Sequence, residues 1–269
     1  MTELHKANKV ELSTEDQQYL SMLPDQMGLQ DFSLRDLNIS MLRIIENNSP
    51  QKKRNKPQYM PEAEEGDILD IALGTLHKDF FFLPLKHVKR WVEWIPRERG
   101  GGFVANHKVP IQTDEEFKLP NGNELTETSY FLGWMLHMDG SKTFCIIPME
   151  KTRLRDARNF NTLITSEKDA KGNRIPIGFR IFKVSTGPRQ RAQHEYYGWD
   201  IERTKGTIAS WATKNELDLK EVAQEAEEIN RTGEMFFEFG KPEEPRQQLG
   251  SGAPPNDSSD EADDGKMPF

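Results

Sequence analysis

Between Leu125 and Met149 the sequence writes a β-hairpin, and that hairpin constrains the fold more than any other feature. Tyr130, Leu132, Trp134 and Leu136 alternate within Leu125–Met138 and would share one face of a strand. Asp139-Gly140 follows as a tight-turn signal, and Lys142–Met149 supplies the returning strand. A helix cannot carry this period-two pattern without spreading its apolar side chains all round. Other segments share the texture. Asp67–Leu73 is a short predicted strand closed by a Gly74 turn. Phe80–Ile95 is a long one ended by Pro96, with Pro84 expected to split it or to mark an edge. Ile177–Thr186 and Glu195–Arg203 are two more, joined by a basic loop.

Helical spacing appears in three places: Leu34, Leu37, Met41, Leu42 and Ile45 within Ser33–Asn47, Leu154, Ala157 and Ile164 within Thr152–Ile164, and Leu219, Val222, Ala223, Ala226 and Ile229 within Glu216–Asn230. The order suits a mainly β (α+β) fold: an OB-like barrel with a helix between its third and fourth strands, plus N-terminal and C-terminal helices and a disordered acidic tail. Ser49–Pro57, polar and interrupted by prolines, has the composition of a linker. Residues 1–65 are therefore expected to be a helical and linker segment, 66–240 the OB-like domain with its C-terminal helix, and 241–269 a flexible tail.

No apolar run approaches the roughly 18 residues that a membrane span needs. Met1–Val10 lacks the apolar stretch of a secretory signal. Cys145 is the single cysteine, which excludes an intrachain disulfide and a Cys-rich zinc site, and the expected location is a reducing cytoplasm, the host's for a viral protein.

The net charge of -8 hides a segregation: residues 1–77 balance at -5, residues 78–214 at +7 and residues 215–269 at -10. A basic centre is what a polyanion-binding domain requires. Three stretches within it combine cations with rings. The first runs from Lys86 through Lys89, Arg90, Trp91, Trp94, Arg97 and Arg99 to the triple glycine before Phe103. Cations neutralise phosphates, and flat rings stack on unpaired bases at about 1–3 kcal/mol per base. Trp91 and Trp94, three apart in a strand, face opposite sides, so one of them is expected in the core. The second stretch holds Lys151, Arg153, Arg155 and Arg158, with Lys151, Arg155 and Arg158 on one helical stripe. The third places Arg189 and Arg191 in a loop beside Tyr197 and Trp199, rings that alternate and so suit a core as well as a platform.

The end of the chain is sharper. Asp260, Glu261, Asp263 and Asp264 precede Met267-Pro268-Phe269. This tail resembles those of the single-stranded DNA-binding proteins of bacteria and their viruses, which are acidic, disordered and close on Pro-Phe or a terminal aromatic. The resemblance implies that Phe269 enters an apolar pocket on a replication or recombination protein while the acidic run steers it to a basic rim. The same run could occupy the chain's own cationic surface when DNA is absent. The central domain is also similar to a family of phage DNA-binding proteins found among replication and recombination genes. That likeness rests on Gly66-Asp67-Ile68, the segment Val92-Glu93-Trp94-Ile95-Pro96-Arg97-Glu98-Arg99-Gly100-Gly101-Gly102, Leu125-Thr126-Glu127-Thr128 and Tyr196-Tyr197-Gly198-Trp199.

No phosphate-binding Gly-rich loop and no nucleophile elbow is present, and the six histidines are scattered. The expectation is a non-enzymatic, largely sequence-independent single-stranded DNA-binding protein, without cofactor, metal or membrane, acting in viral replication or recombination. A homo-oligomer is compatible with it. The alternatives are a viral structural, assembly or adaptor protein and, further off, a nuclease using a metal held by carboxylates such as Asp67, Asp70, Glu124 and Glu127.

Overall fold

The computed structural model describes residues 39–108, 119–191 and 194–237. The acidic tail and the first part of the expected N-terminal helix lie outside these residues.

The predicted hairpin is the spine of the sheet. Strands β6 (Glu124–Leu136) and β7 (Lys142–Glu150) pair in register from Thr128↔Glu150 to Leu136↔Lys142, around the turn at Asp139-Gly140. On the other side of β6 runs β4 (Asp79–Ile95), the longest strand described. Pro84 does not split β4, and it stands where one side of the strand becomes a local edge. Pairing with β8 (Arg180–Arg191) ends at Phe82↔Phe182, and the β6 register shifts between Pro84 and Lys86, so the missing N–H falls at an irregularity. β8 continues into β9 (His194–Thr207) as a long hairpin, so the expected basic loop is strand almost to its tip.

From Ser40 to Ile44 the expected N-terminal helix is instead strand β1. It pairs antiparallel with β2 (Ile68–Asp70) and parallel with β7, at Ser40↔Cys145 and Met41↔Ile146. Leu42 and Ile44 point into the core, and Arg43 between them points out. The sheet overrides the local helical spacing with a partner some hundred residues away. The basic stretch after it, Ser49–Pro57, forms hydrogen-bonded turns, and just beyond it Met60 and Ala63 pack on Ile45 and Leu69. Adding β3 (Thr75–His77) and β5 (Gly102–His107), the described residues form one mixed sheet in the order β3-β2-β1-β7-β6-β4-β8-β9, with β5 on the outer half of β4.

The sheet curls into a half-barrel. Leu42, Ile44 and Ile68 from one end of the strand order share a core with Phe182, Val184 and Trp199 from the other. Helix α1 (Leu154–Thr165) plugs the cup, entered through a 3-10 turn at Lys151–Arg153. Its Phe160 stands 4.6 Å from Phe131, 5.0 Å from Phe182 and 6.4 Å from Phe82, ring centre to ring centre. Burying one such ring contributes about 1.5–3 kcal/mol.

The opposite face is covered by α2 (Ile208–Lys214), α3 (Leu219–Thr232) and a 3-10 turn at Gly233–Phe237. A reciprocal Thr207–Ser210 capping box starts α2, and Asp218 caps Lys220 N at 2.8 Å to start α3. Val222 and Ile229 are buried against Leu83, Leu85, Trp134 and Leu136. Leu219 and Ala223, which share the helical spacing of Val222 and Ile229, instead line an open groove of about 260 Å³. With both sides covered, β6 is buried almost continuously, so its alternation divides two cores and separates no core from solvent. The fold is thus mainly β and barrel-like with a few helices. No helix among the described residues is long and apolar enough to cross a membrane.

Candidate nucleic-acid interface

The outer half of β4 carries the first predicted cluster. His87 stacks on Phe131 at 4.8 Å, which puts His87, Lys89, Trp91 and Glu93 on the α1 side of the sheet. Val88, Arg90, Val92 and Trp94 take the other face, where Val88 and Val92 pack with Tyr130 and Phe237. Both tryptophans are half-buried, one on each side. Lys89 Nζ lies 4.9 Å over the Trp91 ring and 2.6 Å from Glu127 Oε1. Arg90 is buried: its guanidinium donates to the Lys89 carbonyl at 2.8 Å, meets Glu234 Oε2 at 3.2 Å and covers the Phe237 ring. Those contacts anchor the C-terminal turn to the sheet and turn Arg90 away from solvent.

Trp94 pairs across the hairpin with Phe103, their rings edge to face at 5.9 Å. Phe103 is 45% exposed, one of the few large apolar side chains on the surface. Between them a 3-10 turn at Arg97–Arg99 leads into Gly100, Gly101 and Gly102, all at positive φ, where only glycine is unstrained. This explains the triple glycine. The turn is anchored: Arg99 donates to the Asn121 carbonyl at 3.0 Å and to Asn123 Oδ1 at 2.5 Å. Asn121 and Asn123 in turn donate to Glu93 Oε1, and His107 Nε2 lies 2.9 Å from Glu93 Oε2. Burial pushes the Glu93 carboxyl up, but the hydrogen bonds from Asn123, Asn121 and His107 outweigh it and hold the group below its ordinary range. Arg97 is exposed and has no ion pair among the described residues.

In the second cluster Lys151 precedes α1 at a φ of 52°, so the expected stripe is Arg155 and Arg158 on the helix with Lys151 on the turn before it. All three are exposed and without an ion pair among the described residues. Arg153 is a strut: it donates to the Tyr197 carbonyl at 3.1 Å and pairs with Glu46 at the end of β1.

In the third cluster the side chains are mostly engaged. Arg189 pairs with Asp200 on β9. Tyr197 lies against Gly66, and Trp199 is buried, its backbone N–H donating to Asp156 Oδ2 at 2.9 Å. Arg191 pairs in register with His194 near the hairpin tip. Asp260, Glu261, Asp263, Asp264, Met267, Pro268 and Phe269 lie outside the described residues.

The structure also presents cations that the sequence reading passed over. Lys53, Arg54 and Lys56 are exposed on the β1–β2 loop, as are Lys168, Lys171 and Arg174 after α1. A run of cations between two prolines was the available signal for the first group.

The carboxylates considered for a nuclease are dispersed. Asp67 is bound by Lys78 at 2.6 Å, and Asp70 accepts from the backbone of Ala72 and Leu73. Glu127 pairs with Lys89, and Glu124 begins β6 opposite Trp94. Among the described residues no group of three or more His, Cys, Asp or Glu side chains is placed to hold a metal.

A curled mixed sheet plugged by one helix, with exposed cations round the plug and the exposed Phe103 ring on the hairpin of its longest strand, defines a mainly β, barrel-like α+β protein. Residues 10–235 match the family described as Pam3 phage gp34-like protein, and the chain belongs to that family of bacteriophage proteins. No curated protein and no solved structure matches it.

Proposed function

We propose that this chain binds single-stranded DNA without turnover, with little sequence preference, in phage DNA replication or recombination. Its acidic Pro-Phe C-terminus recruits the partner protein. The observation that carries the reading is the exposed Phe103 ring against Trp94, beside an Arg97 with no ion pair among the described residues, at the tip of an anchored hairpin. Solvent exposure of a large ring costs apolar burial, and a base stacked on it recovers that loss. Lys151, Arg155 and Arg158 supply phosphate contacts from the face of α1. Arg90, Arg153, Arg189 and Trp199 support the scaffold in this reading. The OB-like description belongs to the same proposal, and the helix between strands that plugs the curled sheet supports it.

The test is quenching of tryptophan fluorescence by oligo-dT and by a duplex of matched length, at low and moderate salt. Quenching with a strong single-strand preference that weakens steeply with salt supports the proposal. Absence of binding to either, in a chain lacking residues 250–269 so that self-masking is removed, would leave an assembly or adaptor protein as the better reading.

A further inference from the structure

The β1–β2 loop has the composition of a linker, yet it is folded into a hydrogen-bonded knuckle. Lys52 N donates to Ser49 O, Lys53 N to Pro50 O, Lys56 N to Lys53 O and Tyr59 N to Lys56 O, at 2.9 to 3.1 Å. Met60 N then returns to Gln51 O at 2.9 Å and closes the excursion at its base. Lys53, Arg54 and Lys56 stand exposed on the tip.

Most carboxylates of the loop are already taken. Glu46 pairs with Arg153, Glu64 with Lys78 at 2.5 Å, and Glu65 lies 4.0 Å from Lys52. Lys53, Arg54 and Lys56 have no ion pair among the described residues, which leaves the tip with uncompensated positive charge. Because the backbone beneath them is already folded, these cations meet a polyanion with only their side chains left to order. Its position adds to this. The Arg153–Glu46 pair ties the start of the β1–β2 loop to the turn that opens α1, where Lys151 and Arg155 also have no ion pair among the described residues.

We infer that the knuckle Gln51–Tyr59 is a further phosphate-binding surface, which carries single-stranded DNA onward from the cationic face of α1. The inference rests on the single-strand reading above and extends its footprint beyond the β4–β5 hairpin. Its occupant is the sugar–phosphate backbone, since the tip offers cations and no exposed ring.

The experiment neutralises the tip with Lys53→Gln, Arg54→Gln and Lys56→Gln together, in the full chain and in a chain ending at residue 249. Affinity for a long oligo-dT is then followed as a function of salt. Each lost phosphate contact removes about 0.7 from the slope of log affinity against log salt, so the triple variant should be shallower by about 2. The loss should shrink on an oligonucleotide too short to reach from the hairpin to the knuckle. An unchanged slope in a protein that still binds single strands overturns the inference and leaves the binding reading standing. Failure of the unsubstituted chain to bind single strands removes both. A difference that appears only in the full chain assigns the knuckle to the protein's own acidic tail and also overturns it.

Discussion

Tyr197 lies so close on Gly66 that a β-carbon at position 66 would stand 2.5 Å from its ring. Gly66 also takes a φ of +88°, and its carbonyl accepts from Thr186 Oγ1. One residue thus joins the β1–β2 side of the sheet to the β8–β9 hairpin, the two ends of the strand order, and holds the half-barrel curled. Gly66→Ala should destabilise the protein by about 2–4 kcal/mol, combining overpacking with left-handed backbone strain. Adding Tyr197→Ala should remove the steric contribution and leave the backbone one. Urea unfolding of the two variants measures both, and a neutral Gly66→Ala would mean that the ends of the sheet do not meet here.

Arg90 and Phe103 sit on one hairpin and should behave oppositely. Arg90 is buried, but its partner Glu234 is half-exposed, so truncation leaves no orphaned buried charge. Arg90→Ala should therefore cost about 1–2 kcal/mol of stability, short of the 3–5 typical of a broken buried pair. DNA affinity of the folded variant should hardly move. Phe103→Ala should change stability by less than about 0.5 kcal/mol and weaken oligo-dT binding by about 1–3 kcal/mol. Denaturation and fluorescence titration of the same two preparations give all four values. Lost DNA affinity in Arg90→Ala with none in Phe103→Ala would reverse the assignment.

The contrast shows what the sequence could carry. The β6–β7 hairpin was legible because its alternation, its turn and its pairing are all local. β1 was not, because Leu42 and Ile44 become strand residues through β2 and β7, the latter remote in sequence. Arg90 looked like a DNA contact among its basic neighbours. Its burial depends on Glu234 and Phe237, which follow the last strand of the sheet in the chain and lie 144 or more residues from Arg90. Trp199 was ambiguous for the same reason, since α1 decides which face of β9 is inside. The knuckle cations had a clear signal in composition, but their fixed geometry comes from the Met60–Gln51 closure and from Met60 and Ala63 packing beneath.

Two ionisable groups place opposite limits on the pH range of the fold. Glu93 is held below its ordinary value of 4.5, so its contribution is complete above that value and is lost as pH falls through the lower folded one. Tyr130, buried beside Phe237, is pushed from 10.0 up to about 12. The folded state favours the neutral phenol, so stability is intact below 10.0 and declines as pH rises toward about 12. Glu93→Gln should flatten the acid limb of a stability–pH curve, and Tyr130→Phe the alkaline limb. Urea midpoints across the pH range check each. An acid limb unchanged by Glu93→Gln would show that the Asn121–Asn123–His107 network does not couple to folding.

The segregation of charge makes the last prediction specific to the tail. Residues 215–269 balance at -10 against +7 for residues 78–214, so under the single-strand reading the acidic end would compete with DNA for the same cations. Removing residues 250–269 should tighten oligo-dT binding, most at low salt where the Debye length is longest, with the gain fading as salt rises. Removing only Pro268-Phe269 leaves the acidic side chains in place. That shorter deletion should spare DNA affinity and abolish capture of the partner, because the terminal ring and carboxylate are what a pocket with a basic rim would hold. The two truncations therefore separate masking from recruitment. Equal DNA affinity in the full and shortened chains at low salt would exclude masking, and lost DNA binding in the two-residue deletion would move the tail from recruitment to the DNA site itself.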